Sequence, residues 1–159
     1  MKFKNLFTAL MAGAIFASAC EKNPEPEPEP LPAQSGYTGT LSVVEIGDRL
    51  FTLEDVRANY TLDSETGRLD IYMYEVSFSS SMPIRLNVML LPDIPYTKAG
   101  NILSLSGTGI VPMMEMRGEM IPYEQYTCTD LTGTITPETM TLSMQLGGFQ
   151  TDYSGSAED

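Results

Sequence analysis

Four methionines, Met113, Met114, Met116 and Met120, crowd residues 110–122 and form the chain's densest group of soft side chains. Thioethers can line a permissive apolar pocket, ligate copper(I), or fill an irregular core where two prolines and a glycine break a strand. Core filling is the commonest of these roles, and a ligand mouth or partner surface comes next, so the four are the candidate ligand-contacting residues. Glu115, Glu119 and Glu124 share the segment. Glycosidases need only two such carboxylates. Proteins that grip sugar rings usually offer broad aromatic platforms, however, and the chain has no tryptophan, so solvated acids are expected. Asp63-Ser-Glu-Thr-Gly-Arg-Leu-Asp70 sets oxygens at alternate positions as a calcium loop does. Its glycine is fifth instead of sixth and no glutamate stands twelfth, which leaves a hairpin turn.

The chain has no histidine. That removes Ser-His and Cys-His nucleophile pairs and every imidazole zinc site. A serine–lysine pair would have to draw on Lys22 or Lys98, since Lys2 and Lys4 sit at the extreme N-terminus. No catalytic constellation, cofactor or metal is expected, and the chain reads as a non-enzyme. Cys128 lies in the alternating stretch Tyr126-Thr127-Cys128-Thr129, which predicts a buried thiol. With 21 Asp and Glu against 9 Lys and Arg the net charge is −12, so nucleic acid is excluded as a partner. The same field opposes docking of the domain on an anionic membrane, and the dispersed acids act chiefly as a solubility device.

Residues 1–19 read as a leader: basic Met1-Lys2-Phe3-Lys4-Asn5, an apolar stretch over 6–16, then Ala17-Ser18-Ala19 before Cys20. The apolar part is too short to span a bilayer, which takes roughly 20 residues. Ser18, Ala19 and Cys20 resemble the bacterial lipoprotein signal, in which a small residue precedes the cysteine that receives the lipid. Ala17 departs from that pattern, where leucine is more usual. The resemblance implies lipidation of Cys20 and anchorage, with diacylglycerol and palmitate, at the outer membrane or cell surface. Residues 20–35 form a tether, with strictly alternating proline and glutamate over 24–30. Alternating proline favours polyproline II and the glutamates repel one another, so the segment holds the rest of the chain roughly 40 Å from the lipid.

Residues 36–159 are enough for one domain with a core of its own. Their apolar members recur with period two: Met140, Leu142, Met144 and Leu146 share one face while Thr141, Ser143 and Gln145 share the other. Residues 56–62 and 84–88 repeat the arrangement. Turn chemistry at 63–67, at Pro137-Glu138 and at Gly147-Gly148 separates eight or nine predicted strands, near 37–45, 54–62, 68–78, 84–91, 102–111, 118–124, 126–136, 139–147 and 149–156. The expectation is an all-β, mostly up-and-down antiparallel barrel. Tyr37-Thr38-Gly39-Thr40 and Tyr153-Ser154-Gly155-Ser156 open and close the domain with one pattern, which suggests that first and last strands pair and close the sheet.

Tyr37-Thr-Gly-Thr-Leu-Ser-Val43, Ser81-Met-Pro-Ile-Arg-Leu-Asn-Val88 and Leu131-Thr-Gly-Thr-Ile135 with Met140-Thr-Leu-Ser-Met144 resemble a family of calycin-like, lipocalin-like β-barrel lipoproteins of Gram-negative bacteria. The resemblance implies a barrel whose interior takes a small apolar ligand, with no assigned activity and no functional residues to carry over. The alternative is a solid barrel that meets a surface protein or glycan through its loops.

Overall fold

The computed structural model describes residues 36–159; the leader, Cys20 and the tether lie outside the described residues. Alternating segments form ten antiparallel strands: β1 Tyr37–Glu45, β2 Arg49–Asp63, β3 Arg68–Val76, β4 Leu86–Ala99, β5 Ile102–Gly107, β6 Met113–Met116, β7 Glu119–Pro122, β8 Cys128–Ile135, β9 Thr139–Leu146 and β10 Phe149–Ala157. Eight of them close a barrel in the order β1-β2-β3-β4-β5-β8-β9-β10, and β10 returns to pair with β1. β6 and β7 are two extra strands, a hairpin hung on β4 through Met89↔Met114 and Leu90↔Met113. The closed eight-strand antiparallel barrel is consistent with a calycin-like fold.

The predicted pairing of the ends is present, with Gly39 directly opposite Gly155. Both glycines are sterically required. A Cβ on Gly39 would overlap the Ser154 carbonyl and the Gly155 Cα, and a Cβ on Gly155 would overlap the phenol of Tyr153. The space they leave admits the fully buried Tyr153 ring, whose hydroxyl donates to the carbonyls of Tyr37 and Val56, each at 3.1 Å. Tyr37 is buried beside it and donates to the Thr136 carbonyl at 2.7 Å. One end of the barrel is therefore sealed by two tyrosines, each with its polar tip satisfied.

Curvature comes from bulges. Register shifts fall between Gly39 and Leu41, between Leu69 and Ile71, and between Thr129 and Thr132. At each, an aspartate on the bulged strand takes a left-handed conformation: Asp55 (φ 59), Asp93 (φ 55) and Asp130 (φ 53). Aspartate tolerates this region better than most side chains. Some of the dispersed acids thus shape the barrel as well as solubilise it. The Asp70 carboxylate accepts the Asp93 N–H at 2.9 Å, which helps fix one bulge.

Along β9 the predicted faces hold, with Met140, Leu142, Met144 and Leu146 all buried. Four expectations need correction. The strand expected at 54–62 is β2, which already begins at Arg49. β4 begins at Leu86 and continues to Ala99, well past the expected end; Ile84 precedes it and is 76% exposed, and the core residues are Met89, Leu91 and Ile94. Alternation over 84–88 is a poor guide because Leu86 and Val88 are only half-buried while Met89 is sealed. The strand expected at 102–111 stops at Gly107 and leaves Ile110 as a lone bridge to Cys128. The strand expected at 118–124 is the shorter β7, paired with an unanticipated β6 through the turn Arg117-Gly118, both residues at positive φ.

Candidate functional site

The other end of the barrel is open. β1 ends there at Glu45, β2 starts at Arg49, β9 and β10 turn at Gly147-Gly148, and residues 77–85 cross from β3 to β4. Among these elements lies a cavity of about 380 Å³, lined by Val43, Phe78, Met82, Tyr126, Leu146 and Phe149, with Glu45, Arg49, Ser79 and Thr151 among its polar members. A site of this size, mostly apolar with a few polar groups, has the form of a small-molecule pocket in a barrel mouth. Below it the lumen is filled by Leu41, Ile71, Met73, Met89, Leu91 and their neighbours, all buried. The hollow is thus confined to the mouth, and the interior expected to take a ligand is occupied by side chains, one of the two states open to an eight-strand barrel.

Glu45 fastens the crossing loop. Its Oε1 accepts the Ser79 hydroxyl at 2.8 Å, the Ser80 N–H at 2.7 Å and the Ser80 hydroxyl at 3.0 Å. Its Oε2 lies 3.1 Å from the Ser80 hydroxyl and 3.5 Å from the Arg49 guanidinium. These bonds, first the one from Ser79 and then the backbone N–H of Ser80, hold the carboxyl below the usual glutamate range. Arg49 contributes least, as suits a side chain that is 74% exposed. The clasp spans 35 positions in sequence.

An aromatic series runs from the cavity to the hairpin. The Phe78 and Tyr126 ring centres lie 6.4 Å apart and Tyr126 stacks on Tyr123 at 5.9 Å. The Tyr123 hydroxyl reaches the Met116 sulfur at 3.7 Å. These rings are carried by the loop after β3 and by the 3-10 turn Glu124–Tyr126.

The four candidate methionines share this hairpin but do not converge. Met114 is buried in the core and pairs across from Met89 and Ile121. Met113 points to the opposite face, half-buried beside Leu90 and Pro122. Met116 and Met120 are exposed at the rim, 42% and 36% respectively. None of them lines the mouth cavity, whose methionine is Met82. Sequence reasoning missed Glu45, Phe78, Ser79, Ser80, Tyr126 and Phe149. The serine-rich run 79–81 marks a loop, but nothing local ties it to Glu45.

The remaining candidates are placed plainly. Cys128 is buried, and its thiol contacts the Met144 sulfur at 3.5 Å. Burial, helped by the nearby Asp130 charge, pushes it up to about 12, so it stays protonated and has no nucleophilic character. Asp63 accepts the N–H groups of Glu65 and Thr66 at 2.9 and 3.2 Å and the Gly67 N–H bonds the Asp63 carbonyl, which makes the segment the expected hairpin turn. Glu115 is half-buried on β6, and Glu119 and Glu124 are exposed. Among the described residues no cluster of acids and cysteine could hold a metal ion, and no helix is long and apolar enough to cross a membrane. Comparisons of the chain with protein-family models, with curated proteins and with solved structures find no match.

Proposed function

We propose that the chain is a non-enzymatic, lipid-anchored lipoprotein of the calycin-like kind, whose barrel takes a small apolar ligand at its mouth. The observation that carries this reading is the cavity of about 380 Å³ above a filled lumen, walled by Val43, Phe78, Leu146 and Phe149. The anchor rests on the Ala17-Ser18-Ala19-Cys20 sequence and on the tether behind it, which implies attachment at the outer membrane or cell surface. Titration of the chain with a nonpolar fluorescent probe such as phenylnaphthylamine tests the cavity. Saturable one-to-one binding that is lost in Val43→Trp is expected, and unsaturable binding, or binding indifferent to that variant, counts against it. For the anchor, Cys20→Ala abolishes incorporation of labelled fatty acid; persistent labelling would contradict lipidation.

A second reading, docking of a surface protein or glycan, is favoured by one observation. Tyr72, Leu90, Met113 and Pro122 form a row across β3, β4, β6 and β7 on the outer wall, opposite in facing to the buried Ile71, Met73, Met89 and Met114. Crosslinking on cells followed by recovery of the chain tests it, and recovery of the chain alone would count against a docked partner.

A further inference from the structure

The described residues carry six cations, and three of them have partners: Arg49 pairs with Glu45, Arg57 with Glu158, and Arg68 donates to the Asp93 carbonyl. Arg85, Arg117 and Lys98, the last at the far end of β4, have neither an ion pair nor a side-chain hydrogen bond among the described residues. Carboxylates greatly outnumber cations in this chain, so two arginines left without a partner are unexpected on charge grounds alone. Both line one groove at the rim, about 420 Å³ in volume, between the start of β4 and the tip of the β6–β7 hairpin. Glu115 lines the same groove and pairs with neither. The turn fixes where Arg117 stands, because its φ of 56° and that of Gly118 set the hairpin tip.

Apart from Asn87 the other groove walls are apolar, with Ile84 76% and Met116 42% exposed. Exposed apolar side chains beside unpaired guanidinium groups suit a ligand that has both an apolar body and an anionic head. Met82 lines the groove and also the mouth cavity, so the two hollows adjoin there.

We infer that the ligand is a single-chain anionic amphiphile, its apolar chain in the mouth cavity and its phosphate or carboxylate head on Arg85 and Arg117. This rests on the reading of the cavity as an apolar site and adds the head group. Guanidinium groups bond such oxygens as a planar fork, which distinguishes an anionic head from a hydroxyl on the same chain.

The test is calorimetric titration of the full chain with dodecyl phosphate, dodecanol and inorganic phosphate, in the wild type and in Arg85→Gln/Arg117→Gln. Dodecyl phosphate should bind about tenfold tighter than dodecanol, the scale set by two charge-assisted contacts at an exposed rim. The double variant should lose that preference and keep its affinity for dodecanol. Both side chains are exposed, so an unchanged urea midpoint verifies that the variant is folded. Equal affinity for the two ligands, or a preference that survives the double substitution, overturns the head-group assignment while the apolar cavity stands on dodecanol binding. Displacement of dodecyl phosphate by inorganic phosphate at equal concentration overturns it in favour of a free-anion site. If neither dodecyl ligand binds, the inference and the cavity reading fall together.

Discussion

The two ends of the barrel are built from the same strands and solve opposite problems. At the end where Tyr37 enters, Gly39 and Gly155 bring β1 and β10 close enough to seat Tyr153, whose hydroxyl bonds two carbonyls of neighbouring strands. Burial raises the Tyr153 phenol well above its ordinary range and Tyr37 to about 12, as expected for groups that act only as neutral hydrogen-bond partners. At the other end, roughly 27 Å away along the nine residues of β1, the strands splay around a cavity and a loop is held by one carboxylate. Of the seven large apolar side chains exposed among the described residues, Ile46, Leu50, Ile84, Met116, Met120 and Ile121 lie toward this mouth and only Ile102 toward the sealed end. Steric necessity thereby governs the base, and adjustable contacts govern the rim.

Breaking the base should have the largest effect. Gly155→Val places a branched side chain where the Tyr153 phenol stands, and a loss of about 4 kcal/mol or more, or failure to fold, is expected in urea titration. Gly148→Ala is the control at the mouth, since nothing lies within reach of its Cβ; only the strain of its φ of 87° applies, about 1 kcal/mol. Similar losses for the two would erase the contrast. Tyr153→Phe should cost about 1 to 3 kcal/mol, because it strips a donor from two buried carbonyls.

The base is largely legible in the sequence and the mouth is not. The repeated Tyr-hydroxyl-Gly-hydroxyl pattern at 37–40 and 153–156 is a local signature, and the pairing it suggests is present in register. Alternation likewise exposes the core face of β9. The mouth depends on contacts between distant segments: Glu45 with Ser79 and Ser80, Phe78 with Tyr126. No spacing rule links such positions. The methionine cluster is conspicuous because it is continuous in sequence, yet a two-stranded hairpin distributes neighbours to opposite faces, and Met113 and Met114 part company for that reason. The bulge-forming Asp55, Asp93 and Asp130 resemble solvated surface acids because a left-handed φ leaves no mark on composition.

Changes at the rim should be milder in stability and specific in effect. Glu45→Gln weakens the clasp on residues 79–80 and should leave the urea midpoint within about 0.5 kcal/mol, while amide exchange at Ser80 quickens. Acid should weaken the clasp likewise in the wild type. Because the folded carboxyl titrates below the unfolded one, its contribution is fully present above the ordinary glutamate range and disappears as pH falls through the lowered value. The protection of the Ser80 amide, taken relative to its intrinsic exchange rate at each pH, should therefore fall on acidification in the wild type and lack that step in Glu45→Gln; a step common to both would assign it to another group.

Whether the mouth holds an apolar molecule can be read from native mass spectrometry of the full chain recovered from the cells that make it. A noncovalent mass increment is expected, one ligand per chain, that organic extraction releases and that Val43→Trp, which fills the cavity, no longer carries. A protein free of ligand in both forms, or an increment unchanged by filling the cavity, would contradict an apolar site at the mouth.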